Sequence, residues 1–277
     1  MSRLLILGNS QATTLRLAEE EIAAAYPEYD ISFYGLPAIA YDRAYLDKNG
    51  LFGPAKGDRF GASKANEWNG GARIDLAPFD RIFVIGHRWR IYYLTRLLYT
   101  RCVHGMQRNR QKSGITESFL LAAMTAWVRD GCDEIIEKFG ANPRMIFAPS
   151  PYPMARAALK RPEWEPAFGL ASRLSERDMI LDVYEGMIAD TMEARGLHFI
   201  PQPRETLDRA FLTKDAFARV PEAELGKNGV KDDHRHANAA YAKILFAALQ
   251  DAMLQAPIDK DKNTLQPKLT RQTKASI

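Results

Sequence analysis

Arg3-Leu4-Leu5-Ile6-Leu7-Gly8-Asn9-Ser10-Gln11 begins as an apolar run, stops at a glycine and turns polar. A short unbroken apolar run closed by a turn residue reads as a buried strand. The polar group behind it then falls at the strand's carboxyl end. The arrangement returns downstream. Asp30–Tyr34 is a second strand, Asp80-Arg81-Ile82-Phe83-Val84-Ile85-Gly86 a third, Arg144–Ala148 a fourth and Leu197–Pro201 a fifth. The stretches between them predict helices over Ala12–Ala25, Arg90–Val103, Thr116–Phe139 and Leu174–Arg195, with a last one over His236–Leu254. Thr116–Phe139 carries Phe119, Leu120, Met124, Trp127 and Val128 along one stripe. Strand and helix alternating in this way predict an α/β protein with a mostly parallel five-stranded sheet covered on both faces.

The composition agrees. The chain has 277 residues, 46% hydrophobic and 26% charged, which suffices for a large core and excludes a collagen, a coiled coil or wholesale disorder. Its longest apolar stretch, around Phe119–Val128, is broken by Thr125 and falls short of the ~20 residues of a membrane span. The apolar run at Leu4–Leu7 is shorter than a signal-peptide core, and Cys102 and Cys132 cannot build a disulfide framework. The expectation is a cytoplasmic protein with reduced thiols. Residues 257–277 hold five Lys or Arg against two Asp, so most of the net charge of +4 belongs to the tail. That tail reads as basic and disordered. The body shows no basic motif with interleaved aromatics, and no Gly-x-Gly-x-x-Gly follows the first strand. Nucleic acid and dinucleotide cofactors are thus not expected. Residues 1–256 read as one domain, with long irregular loops at 37–78 and 203–231 that border a site.

Ligands of open parallel sheets bind at the strands' carboxyl ends. Three polar groups fall there or just before the last helix: Gly8-Asn9-Ser10-Gln11, Gly86-His87-Arg88-Trp89 and Asp232-Asp233-His234-Arg235-His236-Ala237-Asn238. A serine at a strand-to-helix junction presents its hydroxyl to the site, and its own N–H can receive an oxyanion. The hydroxyl needs a base, and the base needs an orienting carboxylate. Asp233 and His236, spaced Asp-x-x-His, supply both types.

Gly8-Asn9-Ser10-Gln11 resembles the Gly-Asp-Ser opening of the SGNH (GDSL-type) hydrolases. Asp233-x-x-His236-x-Asn238-x-x-Tyr241 resembles their closing motif. The resemblance covers about residues 3–255. It implies a three-layer α/β/α sandwich, ester hydrolysis with no metal or organic cofactor, and a triad of Ser10, His236 and Asp233. It also implies an oxyanion hole completed after the second strand, by Gly35 or Ala38, and after the third. There Arg88 replaces the family's asparagine, and Asn9 replaces its aspartate. His87 would line the site. The implied substrate is a small-molecule or glycan ester. Gly-Asn-Ser-Gln is similar, too, to the Gly-Asn-Cys-Gln opening of capsule-biosynthesis acetyltransferases, which implies acyl transfer to a sugar as the alternative outcome. A third reading is a non-catalytic glycan-binding protein on the same scaffold.

Each of these residues also has a plainer reading. Ser10 is a good helix N-cap, and Asp233 could cap the last helix. Asp232, Asp233, His234 and His236 have no recognised metal-ligand spacing. Arg90, Arg96 and Arg101 read as a solvated helix face, and Trp89, Tyr92 and Tyr93 as core. The pairing of motifs from opposite ends of the chain is what favours chemistry.

Overall fold

The computed structural model describes residues 1–106, 113–159, 165–225, 227 and 233–255. Its central sheet consists of β1 (Ser2–Gly8), β2 (Tyr29–Gly35), β3 (Arg81–His87), β4 (Met145–Pro149) and β5 (His198–Phe199). They lie in the order β5-β4-β3-β1-β2, and every neighbouring pair is parallel.

The helices are α1 (Ala12–Arg16), α2 (Glu19–Ala25), α3 (Ala38–Arg43), α4 (Arg59–Asn69), α5 (Ile91–Thr100), α6 (Glu117–Phe139), α7 (Ala155–Leu159), α8 (Pro166–Ala171), α9 (Arg177–Glu193) and α10 (Ala239–Gln255). They cover both faces of the sheet. Leu4, Ile6, Phe83, Ile85 and Ile146 pack against Leu15 and Ile22 of α1–α2 and Leu245 and Phe246 of α10. Leu5, Leu7, Ile82, Val84 and Phe147 pack against Leu120 and Val128 of α6 and Leu181 and Ile188 of α9. Side chains alternate across a strand, so a strand buried on both faces must be apolar throughout. Leu4 to Leu7 are all fully buried, each contributing about 2 kcal/mol of hydrophobic transfer. The result is the α/β/α sandwich with its five-stranded sheet.

Several elements depart from the sequence reading. The helix expected over Ala12–Ala25 is two. The Ala18 N–H bonds the Leu15 carbonyl three residues back, which tightens and closes α1, and α2 restarts with Ile22 N–H on the Ala18 carbonyl. The helix expected over Arg90–Val103 ends at Thr100, and Cys102–Val103 instead pairs with Gly114–Ile115. Tyr92 and Tyr93, read as core, are nearly half exposed, because α5 turns Ile91, Leu94, Thr95 and Leu98 inward. Phe119, placed on the buried stripe of α6, is 54% exposed.

The loop expected over 37–78 contains α3, α4 and a small antiparallel sheet of Tyr45–Leu46, Leu51–Gly53 and Ile74–Asp75. Its Phe52 is fully buried and stacks on Phe139 of α6. In the described part of 203–231, Leu207–Arg209 pairs with Leu212–Thr213 and Phe211 is buried, while residues 226 and 228–231 lie outside the described residues. The tail at 257–277 and Asp232 lie outside the described residues. No helix among the described residues is long and apolar enough to cross a membrane.

Strand order positions the site. From β1 the chain moves to β2 on one side and then returns to place β3 on the other. Connections leave in opposite directions at such a switch, and a crevice opens between the carboxyl ends. Ser10 follows β1 there, and His87 ends β3.

Candidate active site

Asn9 and Ser10 leave β1 in a bend. Asn9 is buried; its Nδ2 donates to the Gly86 carbonyl at 2.9 Å, and its Oδ1 accepts the Gln11 N–H at 2.9 Å. The Gly86 carbonyl also accepts Ser150 Oγ–H at 2.8 Å. One carbonyl thus ties together the ends of β1, β3 and β4. Gly86 has φ +109°, and a Cβ there would stand 2.3 Å from Asn9 Oδ1. Glycine is required on both counts.

The approach to α10 carries the partner groups. The expected helix start at His236 shifts to Ala239, because Asn238 caps the helix: its Oδ1 accepts the Tyr241 N–H at 3.2 Å. His236 therefore lies in the segment before the helix. That segment is held by Arg219 N–H to the His236 carbonyl at 2.9 Å, Met154 N–H to the His234 carbonyl at 3.0 Å, and a bridge between Ala218 and Ala237. Gln11 Nε2 donates to the Arg235 carbonyl at 2.9 Å.

These restraints bring three side chains together. Ser10 Oγ lies 2.9 Å from His236 Nε2, and His236 Nδ1 lies 2.7 Å from Asp233 Oδ1. In the tautomer that satisfies both contacts, Nδ1–H donates to the carboxylate and Nε2 accepts from the hydroxyl. Partial burial works to raise the Asp233 pKa. The hydrogen bond and charge of His236, the Arg235 N–H and the Arg219 guanidinium outweigh it, so the carboxyl lies below its usual value. Such a line can move the serine proton onto the imidazole while the carboxylate stabilises the resulting cation.

No family model matches the chain. No curated protein matches it. One solved structure similar to it is the periplasmic domain of a lipopolysaccharide acetyltransferase from Salmonella ser. Paratyphi A, at 12% identity and a TM-score of 0.35, over 91% of this chain and 83% of that one.

The other sequence-derived residues divide. The Gly35 N–H is already held by Asn69 Oδ1 at 2.9 Å, while Asn69 Nδ2 returns a bond to the Gly35 carbonyl. These two bonds anchor the end of β2. Ala38, at the start of α3, borders a cavity of about 730 Å³ together with Asn9, His87 and Arg88. Asn9 uses its Oδ1 and one Nδ2 hydrogen in the loop clip, which shapes the turn.

His87 stands edge-on to Trp89, with ring centroids 4.6 Å apart. Burial, with Lys138 and Arg90 nearby, lowers its pKa to about 3, which keeps it neutral. Arg88 is exposed, makes no ion pair among the described residues, and borders both the 730 Å³ cavity and a second one of about 340 Å³. Arg90 pairs with Glu134, whereas Arg96 and Arg101 are exposed on the solvated side.

Sequence reasoning missed three residues. Gln11 was read only as part of a motif, Ser150 follows β4, and the buried Gln202 follows β5, where its Oε1 accepts the Tyr152 N–H at 2.9 Å. The last two obey the strand-end rule that located Ser10. Among the described residues, no group of three or more His, Cys, Asp or Glu could hold a metal.

Proposed function

We propose that the protein transfers acyl groups through an acyl-enzyme on Ser10. The observation that carries this reading is the continuous line from Ser10 Oγ through His236 to Asp233, with contacts of 2.9 and 2.7 Å. Ser10 Oγ attacks the carbonyl carbon of an ester as its proton passes to His236 Nε2. The tetrahedral intermediate collapses when His236 returns that proton to the departing alcohol oxygen. Water or another hydroxyl then attacks the acyl-enzyme by the reverse sequence, and Ser10 recovers its proton. Asp233 holds the imidazole and offsets its positive charge throughout. The Ser10 N–H, a donor near Ala38 and Arg88 are proposed to receive the oxyanion. This is the chemistry implied by the SGNH resemblance.

The larger cavity supports a hydroxyl acceptor, such as a sugar, as an alternative to water. Asn9, Tyr45, Tyr92, Tyr93, Arg88 and Lys138 border it. Rings and charged groups of this kind suit a polar acceptor. The decisive experiment is intact-mass analysis after treatment with a fluorophosphonate. One adduct is expected, lost in Ser10→Ala, whose melting temperature stays near that of the wild type. Absence of an adduct, or an adduct retained in Ser10→Ala, overturns the reading. Adding a sugar acceptor to an ester turnover assay then separates transfer from hydrolysis.

A further inference from the structure

The 340 Å³ cavity begins where the reacting line is held together. Gln11 and Arg235, the neighbours in sequence of Ser10 and His236, both border it. They are the two residues joined by the 2.9 Å bond that ties the two loops. The cavity thus borders the residue that follows Ser10 and the residue that precedes His236.

Its polar groups are largely committed to one another. Tyr152 OH donates to Glu185 Oε1 at 2.9 Å, and Arg204 Nη2 donates to Glu185 Oε2 at 2.6 Å. Tyr184 OH donates to the Trp89 carbonyl, and Arg235 Nη2 donates to Glu165 Oε1 at 2.9 Å. What remains for a ligand is apolar surface from Pro149, Pro151, Phe168, Ile188 and Phe199, with Arg88 and Gln11 as further polar residues on the lining.

Resting on the acyl-enzyme reading, we infer that this cavity receives the acyl chain of the ester and selects an apolar chain of about six to ten carbons over acetyl. A cavity of ~150 Å³ holds a benzene ring. This one has more than twice that volume. An acetyl group would leave most of it unfilled, while a medium chain would cover the rings and prolines. The charged 730 Å³ cavity bordered by Asn9 suits the alcohol part.

The test measures kcat/KM on p-nitrophenyl acetate, butyrate, hexanoate, octanoate, decanoate, dodecanoate and benzoate. Transition-state binding of each buried methylene should raise the value about three- to fourfold, from acetate to an optimum between hexanoate and decanoate. A series that is flat, falls from acetate, or peaks at butyrate, dodecanoate or benzoate overturns the inference. Phe168→Trp should move the optimum to shorter chains and Phe168→Ala to longer ones; an unmoved optimum in a folded variant also overturns it. Labelling rates with ethyl and octyl fluorophosphonates distinguish the two ways of failing. No labelling by either probe sinks the acyl-enzyme itself. Equal rates of labelling at Ser10 sink only the acyl pocket.

Discussion

Gln11 and Arg235 stand 224 positions apart in the chain, yet Gln11 Nε2 bonds the Arg235 carbonyl at 2.9 Å. The residue after Ser10 thereby holds the residue before His236. Gln11→Ala removes this restraint and leaves a partly buried carbonyl short of a donor, at a cost of about 1 kcal/mol in stability. Catalysis should suffer more, since misplacing a base by about 1 Å costs on the order of 100-fold. We expect kcat to fall about 10- to 100-fold with KM little changed. Steady-state kinetics beside a melting curve checks this, and an unchanged kcat would show that the loop holds without Gln11.

Removing Ser10 or His236 should act on a single step. Ser10→Ala and His236→Ala are each expected to lower ester turnover by about 10⁴-fold or more, and the double variant to lose little beyond either single one. Additive losses would mean that the two side chains do not act together.

Asp233→Asn preserves the shape of the side chain but reverses its hydrogen-bond preference towards Nδ1. A loss of about 10⁴-fold in kcat is expected, with the fold retained. A stopped assay over a range of pH would show whether the lost rate returns under any condition; a variant within tenfold of the wild type would remove Asp233 from the mechanism.

Two carboxyls should give opposite pH signatures in stability. Asp233 has a folded pKa below its usual 3.8, so its stabilising contribution is present above that value and is lost as pH falls through the folded one. Glu185 is the reverse. Burial raises it from 4.5 to about 7, against the lowering effects of Arg204 and the Tyr152 hydroxyl. The folded state then holds a proton that the unfolded chain has released, and stability falls as pH rises from about 4.5 towards 7. The loss is on the order of 3 kcal/mol. Melting temperatures between pH 4.5 and 8 should therefore decline more steeply for the wild type than for Glu185→Gln. Parallel curves would contradict the raised value.

Gly86→Ala should destabilise the protein by at least about 2 kcal/mol, because its backbone lies at φ +109° and its Cβ would meet Asn9. Asn9→Ala removes the colliding atoms but not the backbone strain. The double variant should accordingly be less destabilised than the sum of the two. Denaturant unfolding of all four proteins measures the coupling, and strict additivity would place the strain elsewhere.

The sequence by itself determined the α/β class. Runs such as Leu4–Leu7 and Ile82–Ile85 have no polar position, and such a strand is stable only with both faces covered. It also determined the polar groups that follow β1 and β3 and precede α10, since strand ends and helix caps are local chemistry. The ordered parts of 37–78 were illegible because Phe52 finds its partner in Phe139, on a helix 87 residues further along the chain. The break after α1 and the exposure of Tyr92 likewise depend on which face a helix turns to the core.

Only the tertiary structure decided that Ser10 meets His236, that the Gly35 N–H is already engaged by Asn69, and that Asn9 joins β1 to β3. Each depends on the strand order, in which β1 lies between β2 and β3. Contacts across hundreds of residues are set by how whole layers pack, and no local stretch of sequence encodes that sum.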